Sequence, residues 1–287
     1  MTVTVITDSS ACLPVELRER WGIREVPLHI LLDGADLRDG IDDVPADIYA
    51  REHVSTSGTG PEELADAYRR GLADSAGAGV VAVHISSALS GTVGTAEHVA
   101  AQIGSGVRVI DSKSAGMGTG FVTLAAARAA AGGADLDGVA AAADAAKLRS
   151  HAYLVVQRLD NLRRSGRIGS AAAWLGTALS LKPLLAVDDG KLVLAQRIRT
   201  FNKAVASMID RVCDAVGDRS AALAVHHVAN PQGAHDLAGT LAERLPACEP
   251  ALITDLCPTL ALHVGAGAVA VCVDLDPGAA PAAGQHD

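Results

Sequence analysis

Aromatic side chains are nearly missing from this chain: two Phe, two Trp and three Tyr in 287 residues. Large rings cannot fill its core, so Ala, Val and Leu must build it. No uninterrupted apolar span reaches the ~18 residues of a membrane-crossing helix, and stable membrane insertion is not expected. No basic run and no basic patch interleaved with aromatics occurs, and the formal charge is −9, which argues against a nucleic-acid partner. No basic segment precedes an apolar one at the N-terminus, and Asp8 interrupts the first apolar run, so no signal peptide is expected. The five cysteines, Cys12, Cys213, Cys248, Cys257 and Cys272, are scattered and form no C-x-x-C pair. Reduced, mostly buried thiols in a cytoplasmic protein are the expectation. The phosphate-binding G-x-x-x-x-G-K-[ST] loop, the G-x-G-x-x-G dinucleotide fingerprint and the G-x-S-x-G nucleophile elbow are all absent.

What the chain does have is a regular alternation of short apolar runs with Ala-rich helical stretches. Strands are predicted at 2–6, 26–32, 79–83 and 107–112, and helices from Pro14, from Pro61, over 93–103, over 121–131 and over 135–149. This order predicts an α/β fold with a largely parallel, doubly wound sheet. Past residue 150 the grammar changes. Residues 153–156 read as a strand, 160–168 as a polar segment and 171–179 as a short helix. Residues 186–194 read as a β-hairpin turning at Asp189-Gly190. Helices follow at 200–216 and 231–245, and strands at 222–226, 251–254 and 269–273. The expected organisation is an N-terminal α/β domain over 1–150, a mixed α/β unit with an antiparallel hairpin over 151–276, and a disordered Ala/Pro/Gly-rich tail over 277–287. Asp33, Asp36, Asp39, Asp42 and Asp43 read as a solvated acidic loop, because their spacing fits no EF-hand. No metal site is expected.

Two hydroxyl-rich loops stand out. His84-Ile85-Ser86-Ser87-Ala88-Leu89-Ser90-Gly91-Thr92 follows one predicted strand and opens a helix. Ser55-Thr56-Ser57-Gly58-Thr59-Gly60 precedes Pro61, the first residue of another. Ligands of open α/β sheets bind beyond the carboxyl ends of strands. Hydroxyls and free N–H groups at helix starts suit a carboxylate or phosphate there. Equally, Ser90 or Thr92 could simply cap its own helix, and Asp8 could cap a loop rather than hold a ligand.

Read together, the segments resemble the DegV family of bacterial lipid-binding proteins over about residues 3–274. The resemblance rests on Val5-Ile6-Thr7-Asp8-Ser9-Ser10 with Leu13-Pro14, Thr56-Ser57, Ile85-Ser86-Ser87-Ala88-Leu89-Ser90-Gly91-Thr92, and Val109-Ile110-Asp111-Ser112 with Gly118-Thr119-Gly120. Further blocks are Leu162-Arg163-Arg164-Ser165-Gly166-Arg167-Ile168, Leu181-Lys182-Pro183-Leu184-Leu185, Arg197-Ile198-Arg199-Thr200 and His263-Val264-Gly265-Ala266-Gly267. Departures are Gly58-Thr59-Gly60 where the family commonly has Gln-Pro-Ser, and Ala266 where it usually has Pro.

The resemblance implies a carrier without catalytic residues or cofactor. It would hold one long-chain fatty acid, its acyl chain in an apolar tunnel and its carboxylate near the domain junction. It would present that carboxylate to a separate fatty acid kinase with a dihydroxyacetone-kinase-like ATP-binding domain, a step of phospholipid metabolism. Carried over by position, Thr56, Ser57, Ser87, Ser90, Gly91, His263 and Arg199 would form the head-group site, and Arg167 would serve partner docking. A buried carboxylate needs donors. About fourteen buried methylenes would contribute roughly 11 kcal/mol gross, reduced by the costs of association. The alternative is a serine-dependent lipid hydrolase using Ser86, Ser87 or Ser90, with His263 as base.

Overall fold

The computed structural model describes residues 1–51, 53–168 and 181–275. The expected helix at 171–179 and the tail at 277–287 lie outside the described residues.

The first sheet is parallel and is built from β1 (Thr4–Asp8), β2 (Arg24–Val26), β6 (Val80–His84) and β7 (Val107–Asp111), in the order β2-β1-β6-β7. Alternation along its strands decides what covers each face. Ile6, Val80 and Ala82 point to α2 (Pro61–Asp74) and α3 (Thr92–Ile103), meeting Leu64, Tyr68, Ala96 and Val99. Val5, Val81 and Val83 point the other way, to α4 (Met117–Ala131) and α5 (Leu136–Arg149). With both faces covered the sheet is doubly wound, as its near-continuous apolar strands require. The helix α1 (Val15–Trp21) starts beyond Pro14 and ends on Gly22.

The predicted single strand at 26–32 is two strands. Pro27 has no N–H to give a ladder, and the chain leaves β2 there to enter a separate antiparallel sheet. This sheet, ordered β4-β3-β5, comprises β3 (His29–Leu32), β4 (Ala35–Arg38) and β5 (Val54–Ser57). The acidic stretch is therefore only partly a solvated loop: it supplies β4, and Asp39 is 1% exposed. The helix expected from 121 starts four residues earlier: Met117 to Gly120 are the buried first turn of α4. A Cβ at Gly118 would lie 2.0 Å from the Ser114 hydroxyl, so glycine is there for close packing rather than flexibility.

The second sheet takes all its strands from Ser150 onward, in the order β10-β9-β8-β13-β11-β12. Its strands are β8 (Ser150–Val155), β9 (Leu184–Asp188), β10 (Lys191–Gln196), β11 (Ala221–His227), β12 (Leu252–Asp255) and β13 (Val269–Leu275). All pairs are antiparallel except β11 with β12, and β9–β10 is the hairpin expected at Asp189-Gly190. The two faces of this sheet differ in bulk. One carries Val155, Leu223, Val225, Val269, Val271 and Val273 and packs on α7 (Phe201–Val216) and α8 (Pro231–Arg244) through Met208, Val212, Leu237 and Leu241. Burying each such side chain contributes roughly 1.5–3 kcal/mol. The other face, turned to the first sheet's helices, carries Ala152, Ala224, Ala270 and Cys272 on its central strands. These small side chains leave space. Two further helices, α6 (Asp160–Arg164) and α9 (Pro258–Val264), border that space.

Candidate functional site

The space above the small-residue face is a cavity of about 1010 Å³, counting the solvent at its mouth. Its floor includes Ala152, Leu154, Ala270 and Cys272; Leu28, Ile85, Leu89 and Gly116 also line it. Thr56, Ser57, Ser90, Gly91, Arg167 and His263 make up one polar end, and Thr259 and His226 are further polar residues of the lining.

Three elements bring that end together. The first is β5, which ends at Ser57 and passes close to the start of α3. A Cβ at Gly58 would sit 2.6 Å from the Thr92 hydroxyl, so the two loops approach closely here. The second is the loop over 85–91. Asp8, fully buried, accepts from the backbone N–H of Ile85 at 3.0 Å and from Nδ1 of His84 at 3.0 Å. It also accepts from the N–H and hydroxyl of Ser10. Tyr68 donates to the far nitrogen of His84 at 2.9 Å. Asp8 therefore anchors the loop from beneath and is not free for a ligand. The third is α9, which the sequence reading missed because Pro258 and the following glycines look like loop. Asp39 accepts from the Thr259 N–H at 3.2 Å, within its first turn. That helix carries His263.

The Thr56 hydroxyl and His263 Nε2 lie 3.0 Å apart. Burial, and then the charge of Arg167, push the His263 pKa down to about 4, so the ring is neutral at pH 7. Arg167 donates to the carbonyls of Leu89 and Ser165 at 3.3 and 2.6 Å, and among the described residues no carboxylate pairs with it. Ser90 faces the cavity while its hydroxyl pairs with that of Thr92 at 2.9 Å and accepts from the Thr92 N–H at 3.3 Å. Ser90 therefore supports its own helix start and lines the site at once. A Cβ at Gly91 would meet nothing within 4 Å; the space there is open.

Two of the expected head-group residues are not brought to the cavity. Ser87 is exposed and donates to Asp111 at 2.5 Å, so its hydroxyl points away from the cavity lining. Burial pushes the Asp111 carboxyl up, but the Ser87 hydroxyl and the N–H groups of Lys113 and Ser87 outweigh it and hold the group below its ordinary range. Arg199 is exposed just before α7 and lies outside the lining. Arg167, assigned only to docking, is in the cavity wall. Ser86 is buried and donates to the Gly190 carbonyl at 2.8 Å, tying this loop to the β9–β10 hairpin. The hydrolase alternative needs a serine on a general base. Among the described residues no hydrogen bond joins Ser86, Ser87 or Ser90 to a histidine.

Also missed was His226, which lines the cavity fully buried. It accepts from the Met117 N–H at 2.8 Å and contacts the Thr254 hydroxyl at 2.8 Å. Burial pushes its pKa to about 4. Past the polar end, Thr56, Arg167 and His263 also face a second recess. Its described lining includes Arg51 and Arg164 and no carboxylate.

Comparison with known proteins gives a consistent picture. The family model described as "Uncharacterised protein, DegV family" matches residues 2–276. A DegV domain-containing protein of Mycobacterium tuberculosis is 68% identical over 283 residues, covering 99% of this chain and 100% of that one. A Streptomyces coelicolor counterpart is 37% identical over 94% of this chain and 98% of its own. Among solved structures, a fatty-acid-binding DegV family protein of Thermus thermophilus is 32% identical, with a TM-score of 0.87 over 96% of this chain and 100% of that chain. DegV of Bacillus subtilis, a fatty acid binding protein, is 27% identical, with a TM-score of 0.87 over 96% of this chain and 99% of that one.

Proposed function

The chain belongs to the DegV family, and on that premise we propose that it holds one long-chain fatty acid in the cavity between its two sheets. The carboxylate meets Thr56, Ser90, His263 and Arg167, and the acyl chain runs over Ala270 and Ala152. The observation that carries this reading is the cavity's polar end beside a floor that is apolar except for His226. A carboxylate is held only where donors offset its lost hydration. Hydroxyls and a guanidinium supply such donors, and the uncharged imidazole of His263 adds no repulsion and can take up a proton. The apolar floor replaces water around the methylenes.

The chain works as a carrier, with a domain change near residue 150, in the cytoplasm. Its five cysteines are free thiols, which suits a reducing compartment. No helix among the described residues is long and apolar enough to cross a membrane. The carboxylate is presented to a separate fatty acid kinase. The recess bearing Arg51, Arg164 and Arg167 beside the polar end supports an anion-handling mouth.

Calorimetric titration of delipidated protein with a long-chain fatty acid tests the binding. Phosphorylation of that acid by a fatty acid kinase and ATP, with and without the chain present, tests the presentation. Saturable one-to-one binding and chain-dependent phosphorylation are expected. Absence of either removes that half of the proposal.

A further inference from the structure

The register of the second sheet divides the cavity floor into rows. On β13, Ala270 lies between Leu154 and His226, Cys272 between Ala152 and Ala224, and Asp274 between Ser150 and Ala222. Successive rows are about 6.6 Å apart, two residues of strand rise. Because α9 ends just before β13 begins, the Ala270 row is the one nearest His263 and the polar end. Leu154, His226 and Ala270 line the cavity, and so do Ala152 and Cys272. None of Ser150, Ala222 and Asp274 does. The third row instead sits in closed structure. Asp274 is 1% exposed and accepts from Arg149 at 2.7 Å, and Ala222 packs against the core that holds Phe121, Val122 and Ala125. Ala152 and Cys272 belong to both regions, lining the cavity and joining that core. The Cys272 thiol is aimed at the carbonyl of Ala115, 3.9 Å away, and Ala115 also lines the cavity.

We infer that Ala152 and Cys272 form the end wall against which the methyl terminus of the ligand stops, and so set the acyl length this chain selects. The inference rests on the fatty-acid reading above and adds the specificity-determining residues to it. A wall of this kind discriminates by sterics. A chain that is too long must bend or leave its head group, and one that is too short leaves apolar surface without contact. The row beyond resists opening, because the buried Asp274 is held in an ion pair by the half-buried Arg149.

The test is competition binding of a series of straight-chain saturated fatty acids to the delipidated full-length protein and two variants. Ala152→Leu moves the wall toward the head group. The preferred acid becomes shorter, and the affinity ratio between shorter and longer acids changes by about tenfold or more. Cys272→Ala moves the wall back, and the preference shifts to longer acids. Because it only removes atoms, this second variant keeps the test decisive should Ala152→Leu fail to fold. Wild-type binding with the same length optimum in the variants overturns the end wall and leaves the carrier reading standing. A wild-type protein that binds no acid of the series overturns both.

Discussion

The hydroxyl of Thr56 and Nε2 of His263 meet at 3.0 Å across 207 residues of sequence. One sits on the edge strand of the small antiparallel sheet, the other on α9, and their meeting point is the polar end of the cavity. Removing either partner takes a hydrogen-bonding group away from a bound carboxylate. Thr56→Val keeps the shape and loses the hydroxyl, so fatty-acid affinity is expected to fall about tenfold, the worth of a hydrogen bond to a charged group. Calorimetry checks this, with the thermal midpoint of the empty protein as control. An unchanged dissociation constant would place the head group elsewhere.

His263 should be neutral at pH 7 and titrate near 4, as NMR of its ring resonances would show. Arg167→Gln removes a repulsive charge, so the His263 pKa rises; a bound carboxylate raises it too. The sign for stability follows. His263 and His226 have folded values below their ordinary 6.5, so the unfolded chain takes up protons first, and stability present above about 6.5 is lost as pH falls toward 4. Glu25 opposes this. Burial, aided by Asp39 and Asp8 and countered by Arg18, lifts it to about 7. Its contribution is complete below about 4.5 and lost as pH rises through 7. The ring titration, not the stability curve, is therefore the clean readout. A His263 that titrates at its ordinary value in the empty protein contradicts the site's geometry.

Ser87 and Ser90 should separate. Ser90→Ala is expected to weaken fatty-acid binding several-fold and to cost about 1 kcal/mol at the start of α3. Ser87→Ala should leave binding unchanged while the Asp111 pKa rises, because Asp111 loses the hydrogen bond that helps hold it down. Equal binding losses would return Ser87 to the site.

Asp8→Ala leaves His84 and the Ile85 N–H without their buried acceptor. A loss of about 3–5 kcal/mol in urea unfolding is expected. A loss below about 1 kcal/mol would mean that the loop over 85–91 does not depend on this anchor.

The alternation of strands and helices was legible because each apolar run keeps its period, and the Asp189-Gly190 hairpin because turn chemistry is local. The hydroxyl loops were legible as a place but not as directions. Ser87 and Ser90 are three residues apart in one loop, yet one faces Asp111 and the other the cavity, and only the fold decides which. Asp39 looked like solvent-facing charge because its partner, the Thr259 N–H, is 220 residues away. The cavity floor left a fainter trace. Ala152, and Ala270 and Cys272, alternate with larger residues along their strands, but Ala at such positions fits a tightly packed core equally well. What turns small residues into a cavity is the distance at which the first sheet's helices stop, which no local pattern records.

The central claim is one fatty acid per chain, held by its carboxylate. Native mass spectrometry of the purified protein, with fatty-acid analysis of its denatured extract, tests it most directly. A single co-purifying long-chain fatty acid per chain is the predicted result. A chain that is empty as purified and refuses added fatty acid would contradict the account.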